Sequence, residues 1–212
     1  MDVERVYDLT LPITPALVIY PGDPKPALRR TAAIRSGQPL NCSSLEIGCH
    51  VGTHLDVPLH FVDGGADVEA YRPDQLMGPA QVVDFAAAPQ ISAESLRQVT
   101  LEESRHLLLK TRNSRLLGES AFRDDYVSLT PDAAEVLLAA RPRSIGFDYY
   151  SLDPLDASGY PVHRRLAREG VPVCVCLDLR GVPAGQYFYV CLPLRLPGAD
   201  GSPVRAVLFN WK

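Results

Sequence analysis

Three of the five histidines in this chain, His50, His54 and His60, fall within eleven residues, with Asp56 among them. Imidazole offers a neutral nitrogen and carboxylate an anionic oxygen, a donor set that suits a divalent cation. Two histidines and one carboxylate fill only part of a coordination sphere. They leave positions for water and substrate, as catalytic rather than structural metal sites do. An isolated His-x-x-x-His pair would carry little weight. Three histidines interleaved with an aspartate carry much more. His106 opens a strand pattern and reads as structural.

The spacing also constrains the elements that hold these groups. From Leu45 to Phe61 the odd positions are almost all apolar: Leu45, Ile47, Cys49, Val51, Leu55, Val57, Leu59 and Phe61. Even positions from 50 onward hold His50, Gly52, His54, Asp56, Pro58 and His60. A period of two predicts extended chain with one face on a core and the other presenting the polar groups. Gly52 and Pro58 oppose a continuous helix. In a straight strand, residues four apart stand roughly 13 Å apart, too far to share an ion, whereas His54 and Asp56 are about 6.6 Å apart on one face. His50 joins them only if the chain bends between the histidines, and Gly52 permits that bend.

Around this segment, short runs bounded by turn formers predict strands at Arg5–Leu9, Ser44–Val51, Gln81–Phe85, Arg105–Lys110, Ser144–Phe147, Val171–Leu179, Tyr187–Leu194 and Val204–Phe209. Three helices are predicted. One follows Ser92 as N-cap to about Val99. A second has Thr130 as cap, Pro131 in its first turn and runs through Ala133–Ala140. A third begins near Pro161 and stops at Gly170. The mixture implies an α/β fold bordering on α+β and dominated by its sheets.

Composition limits the function classes. The 212 residues carry a net charge of −4 and are 46% hydrophobic, which fits one domain spanning 1–212. An acidic balance gives no electrostatic reason to bind nucleic acid. No apolar run approaches membrane-spanning length, and no basic-then-apolar leader is visible, so a cytoplasmic location is expected. The five cysteines form no C-x-x-C pair and are expected to be structural.

The run His50-Val-Gly-Thr-His54-Leu-Asp56-Val-Pro-Leu-His60-Phe61 resembles the H-x-G-T-H-x-D-x-P-x-H-F motif of the cyclase family, which includes bacterial kynurenine formamidase and isatin hydrolase. Further landmarks are Asp8-Leu-Thr-Leu-Pro-Ile, Tyr20-Pro-Gly-Asp23, Ser151-Leu-Asp-Pro-Leu155, Leu177-Asp-Leu-Arg-Gly and Leu194-Arg-Leu-Pro-Gly-Ala-Asp-Gly-Ser-Pro-Val. The resemblance covers essentially the whole chain and implies the family's swivelling β/β/α domain. It implies that His50, His54 and Asp56 bind metal, with His163 at a second-metal position. It also implies that His60 is the general acid/base and that Tyr20 lies against an aromatic substrate. A homo-oligomer, dimer or tetramer, is expected.

One departure matters. Twelve residues beyond His163, where formamidases carry a glutamate that ligates both metals, stands Val175. Either Cys174 or Cys176 substitutes as thiolate, or one metal is held, or the activity has diverged. One divalent ion per chain is the favoured expectation, zinc ahead of manganese. Tyr149 and Tyr150, larger than the residues usual after Asp148, put the exact substrate in question. The function expected is metal-dependent attack on the C–N amide carbonyl of a small aromatic molecule, arylformamidase-like. The alternatives are a cyclase, dehydratase or lactonase, and a non-catalytic binding protein on a degenerate enzyme fold.

Overall fold

The computed structural model describes residues 3–211. Ten strands are present: β1 (Val3–Asp8), β2 (Ala27–Ala32), β3 (Cys42–Glu46), β4 (His54–Asp56), β5 (Met77–Asp84), β6 (His106–Lys110), β7 (Ser144–Phe147), β8 (Val173–Val175), β9 (Gly185–Pro193) and β10 (Gly201–Trp211). The helices are α1 (Ala93–Arg97), α2 (Asn113–Leu116), α3 (Ala133–Ala139) and α4 (Pro161–Arg168). Strands β5, β6, β7 and β8 run parallel, and the helices lie in the connections between them. Each such crossover is a βαβ unit, because parallel neighbours cannot be joined by a tight turn.

The sheet closes on itself. β4 joins β8 to β10, β9 joins β5 to β10, and β1 lies along the far end of β10. Alternation along the strands then separates two cores. Leu107 and Leu109 of β6 face the helix layer with Leu96, Leu137 and Leu166, while Leu108 faces the barrel interior with Leu55, Tyr189 and Leu208. Sheet dominance and mixed α/β character agree with the sequence. β2 and β3 form a separate two-stranded sheet.

Several expectations need correction. The strand expected over Ser44–Val51 ends at Glu46 and belongs to the separate hairpin, so the period-two pattern does not run as one strand into the histidines. The strand expected over Val171–Leu179 keeps only Val173–Val175, because Cys176 adopts φ 56 and turns the chain out of the ladder. The second helix, α3, has Asp132 rather than Thr130 in the N-cap position, with no side-chain cap bond. Helix α2 and strand β2 had no counterpart in the sequence reading. α2 forms because the buried Asp148 carboxylate, from 34 residues away, accepts hydrogen bonds from the Ser114 N–H and hydroxyl. The α1 cap is as expected, with Ser92 and Ser95 exchanging side chain-to-backbone bonds.

Candidate metal centre

β4 is a short strand between β8 and β10, with His54 opposite both Val175 and Pro203, and Asp56 opposite both Val173 and Gly201. Leu55, between them, points the other way into the barrel. Thr53 anchors the entry to this strand. Its hydroxyl donates to the Cys176 carbonyl at 2.7 Å and accepts the Leu11 N–H at 2.9 Å. The chain bends before it at Gly52, whose φ of 61 is open to glycine at little cost. That bend swings His50 back beside the strand. His60 follows in a 3-10 turn, Pro58–His60.

The result is a bracket around one carboxylate. Asp56 Oδ1 lies 2.8 Å from His50 Nδ1 and 3.2 Å from His54 Nε2. His50, Asp56 and His60 each offer a donor atom, all within 4.8 Å of one another. The rings of His50 and His60 stack at 3.9 Å. His163, expected as a second-metal residue or an exposed helix residue, is buried at 2% exposure and lines the same cavity, with Phe61 stacked on it at 4.6 Å.

Each imidazole also touches an acceptor at a second position. Asp200 Oδ2 accepts from His50 Nε2 and from His60 Nδ1, at 3.0 Å each. The Gly52 carbonyl takes His54 Nδ1 at 2.8 Å, and Asp153 takes His163 Nδ1 at 2.7 Å. Carbonyls and carboxylates only accept, so these contacts place the protons on those nitrogens. By the same rule Nδ1 of His50 donates to the Asp56 carboxylate, a proton that a cation binding there would displace. Nε2 of His54 also faces Asp56, and Nε2 of His60 and of His163 has no partner among the described residues. Outer acceptors of this kind are what orient metal-ligating histidines. The donor set therefore fits a divalent cation.

Asp200 and Asp153 were not singled out as site residues in the sequence, although both lie in quoted landmark segments. Asp200 sits in the turn before β10, held by the Val57 N–H donating to its carbonyl. Gly201 follows, and a Cβ there would meet His50 Cε1 at 2.6 Å. Asp153 doubles as an acceptor for the Val162 and His163 N–H groups at the start of α4.

Electrostatics follow the geometry. Burial opposes a charged His50, but Asp56 and Asp200 outweigh it and push its pKa up to about 9. Burial likewise opposes a charged Asp56, and the surrounding His54 and His50 hold it well below the usual carboxylate range. His60 is shifted down, chiefly by burial, with Asp56 opposing and His50 adding to the shift.

The cavity measures about 530 Å³. Tyr20, Phe61, Tyr150 and Tyr160 line it together with the histidines, Phe61 lying against His60 and His163. Tyr20 packs edge-on against Phe122, with its hydroxyl 3.5 Å from that of Tyr160. Tyr150 donates to the Val18 carbonyl at 2.6 Å, whereas Tyr149 is buried in the helix-side core. Val175, 0% exposed, stands opposite His54 and packs in that core too. Neither cysteine replaces it at the cavity wall. Cys174 points into the barrel, and Cys176 is fully buried with its thiol pushed well above the ordinary range by burial.

Comparison with known proteins gives the family. The model of the cyclase family matches residues 7–154, which contain the whole histidine motif. The chain belongs to the cyclase family. Among its relatives, the kynurenine formamidase of Salinibacter ruber (strain DSM 13855 / M31) is 34% identical over 203 residues, or 95% of each chain. A solved structure described as a potential metal-dependent hydrolase with cyclase activity superposes with a TM-score of 0.85 at 33% identity, covering 98% of both chains. An isatin hydrolase bound to the product analogue thioisatinate shares the cyclase-family fold, with a TM-score of 0.85 at 22% identity over 99% of this chain and 93% of its own. Among the described residues of this family member, no helix is long and apolar enough to cross a membrane.

Proposed function

We propose that this chain is a metal-dependent hydrolase that cleaves a carbonyl–nitrogen bond of a small aromatic molecule, with an aryl formamide as the leading substrate. The observation that supports this reading is the set of four histidines lining one cavity, each oriented by an acceptor, with His50, His54 and His60 beside the buried Asp56. His50, His54 and Asp56 would hold one divalent cation, zinc ahead of manganese. His163 is the remaining donor for a second ion. Val175 brings no ligand to complete that site, so one ion per chain is favoured. When bound, such an ion acidifies water and polarises a carbonyl oxygen.

The chain's own groups do the rest. His60, with its Nδ1 proton held by Asp200, presents Nε2 to take a proton from the attacking water and return it to the departing nitrogen. Asp56, buried and anionic, balances positive charge beside it. Tyr20, Phe61, Tyr150 and Tyr160 exclude water and seat an aromatic ring, where edge and stacked contacts contribute about 0.5–1.5 kcal/mol per pair. Arg164 is the one Lys or Arg on the cavity wall and makes no ion pair among the described residues. It would meet an anionic substituent on the substrate. We read residues 1–212 as one domain acting in the cytoplasm as a homo-oligomer of two or four chains.

A turnover screen of metal-loaded protein with a formanilide, an aromatic lactone and a cyclic imide tests the proposal. Formate release from the formanilide, absent in His54→Ala, is expected. Turnover of the lactone alone would favour the lactonase or cyclase reading. No turnover of any of them would favour a binding protein.

A further inference from the structure

We propose that Tyr160 is a specificity-determining residue whose hydroxyl, together with that of Tyr20, binds a carbonyl oxygen carried on the substrate's aromatic ring. The proposal rests on the reading of this cavity as the substrate site and names a group that the substrate carries there.

Tyr160 breaks three local rules at once. It adopts φ 51 and ψ 61, the left-handed region, where a bulky side chain is an outlier. It occupies the N-cap of α4, where Ser, Thr, Asp or Asn would accept a backbone N–H, and its side chain makes no such bond. Asp153 accepts the Val162 and His163 N–H groups instead, so the helix start does not depend on Tyr160. The residue is also only half-buried, between the largely exposed residues 155–159 and the buried Val162, so burial offsets little of the strain. Glycine would sit there at less cost. A strained residue that the helix does not need points to the cavity it lines.

Its hydroxyl stands 3.5 Å from that of Tyr20, and neither has another hydrogen-bond partner among the described residues. That gap is longer than the usual O–H···O bond of about 2.7–2.8 Å. An acceptor at about 2.8 Å from each oxygen completes a triangle and takes both protons. Burial and the neighbouring Tyr160 push the Tyr20 pKa up, which keeps that phenol a donor. Tyr150, also on the cavity wall, already donates to the Val18 carbonyl and does not join them. Phe61 lies against both Tyr160, at 5.7 Å, and His60, at 4.4 Å, so the breadth of an aromatic ring separates the hydroxyl pair from the acid/base. The hydroxyls therefore meet a ring substituent rather than the carbonyl under attack. Two neutral donors suit an uncharged oxygen, that of a ketone, ester or amide, whereas a hydrocarbon substituent would leave both unpaired.

The experiment compares ring-acetyl with ring-ethyl formanilides, substituted at each ring position in turn, on metal-loaded protein. Ethyl approximates the shape of acetyl without its oxygen. In the wild type, kcat/KM should favour the best acetyl isomer over its ethyl counterpart on the order of 10-fold. Tyr160→Phe keeps the ring and should lower that ratio about 3–10-fold, through KM rather than kcat. Tyr149→Phe, which removes a hydroxyl engaged with the Arg123 backbone in the helix-side core, should leave the ratio as it is. If no formanilide is turned over, the hydrolase reading fails, and calorimetric affinities of the matching acetyl- and ethylanilines give the ratio for the same variants. Strain has its own readout. Tyr160→Gly should melt about 2–8 °C above Tyr160→Ala, since both delete the ring and only glycine accepts the left-handed backbone freely. Equal melting of those two, a wild-type ratio near one, an unchanged ratio in Tyr160→Phe, or an equal fall in Tyr149→Phe overturns the proposal.

Discussion

Replacing Val175 with glutamate probes how the site counts its ions. Val175 is 0% exposed and directly opposite His54. Opposed residues in an antiparallel ladder put their Cβ atoms about 5 Å apart on one face. A carboxylate at 175 would therefore start beside His54 and close to Asp56. With no ion bound it is buried among apolar groups and next to a like charge, so its pKa must rise. Held three to four units up and titrated at pH 8, it costs about 4–5 kcal/mol. At roughly 2–4 °C per kcal/mol for a chain of this size, Tm should fall by about 10–15 °C. An ion that binds only the folded state at a hundred times its Kd restores about 2.7 kcal/mol, hence part of that loss. Val175→Gln separates the causes, because it buries a polar group of the same shape without the charge. The assay is a thermal melt of both variants with and without added zinc, alongside elemental analysis. Metal should raise Tm more in Val175→Glu than in Val175→Gln, and occupancy should move from one ion toward two. Equal responses in both variants, or two ions in the wild type, would refute the reasoning.

Other perturbations address single residues. His60→Ala should keep its ion and lose roughly 10²–10⁴ in kcat, and a parallel loss of metal content would make His60 a ligand instead. Asp200→Ala should weaken metal affinity by about 10–100-fold through His50 and also lower kcat at saturating metal through His60. Asp200→Asn, which still offers an acceptor, should recover part of both; no recovery would count against an orienting role. His106 is buried, bonded through Nδ1 to Ser144 at 2.7 Å, with Nε2 unpartnered, and burial pushes its pKa down to about 4 from 6.5. A histidine depressed in the folded state contributes stability that is present above pH 6.5 and lost as pH falls toward 4. The loss should reach about 3 kcal/mol and be smaller in His106→Gln, as measured by urea unfolding between pH 7 and 4.

The sequence shows what is local. The histidine spacing, the bend at Gly52, the Ser92 cap and the alternation at Leu55 and Val57 each depend on a few adjacent residues, and each is visible in the chain. Asp200 is not, because it meets His50 from 150 positions away and only barrel closure brings the two together. The Asp148 acceptor that supports α2 is hidden for the same reason. The end of the strand at Glu46 is not legible in the sequence, because alternation continues past it. Periodicity reports which faces differ in polarity, not whether a ladder partner is present. His163 could be read as exposed from its arginine neighbours, yet Asp153 and Phe61 bury it.

Formate release from an aryl formamide, followed while zinc is titrated into chelator-treated protein, tests the central claim most directly. Activity should rise from near zero and level off at one equivalent per chain, and His54→Ala should stay inactive throughout. Turnover that is undiminished in the chelated protein, or absent at every zinc concentration, would contradict the account.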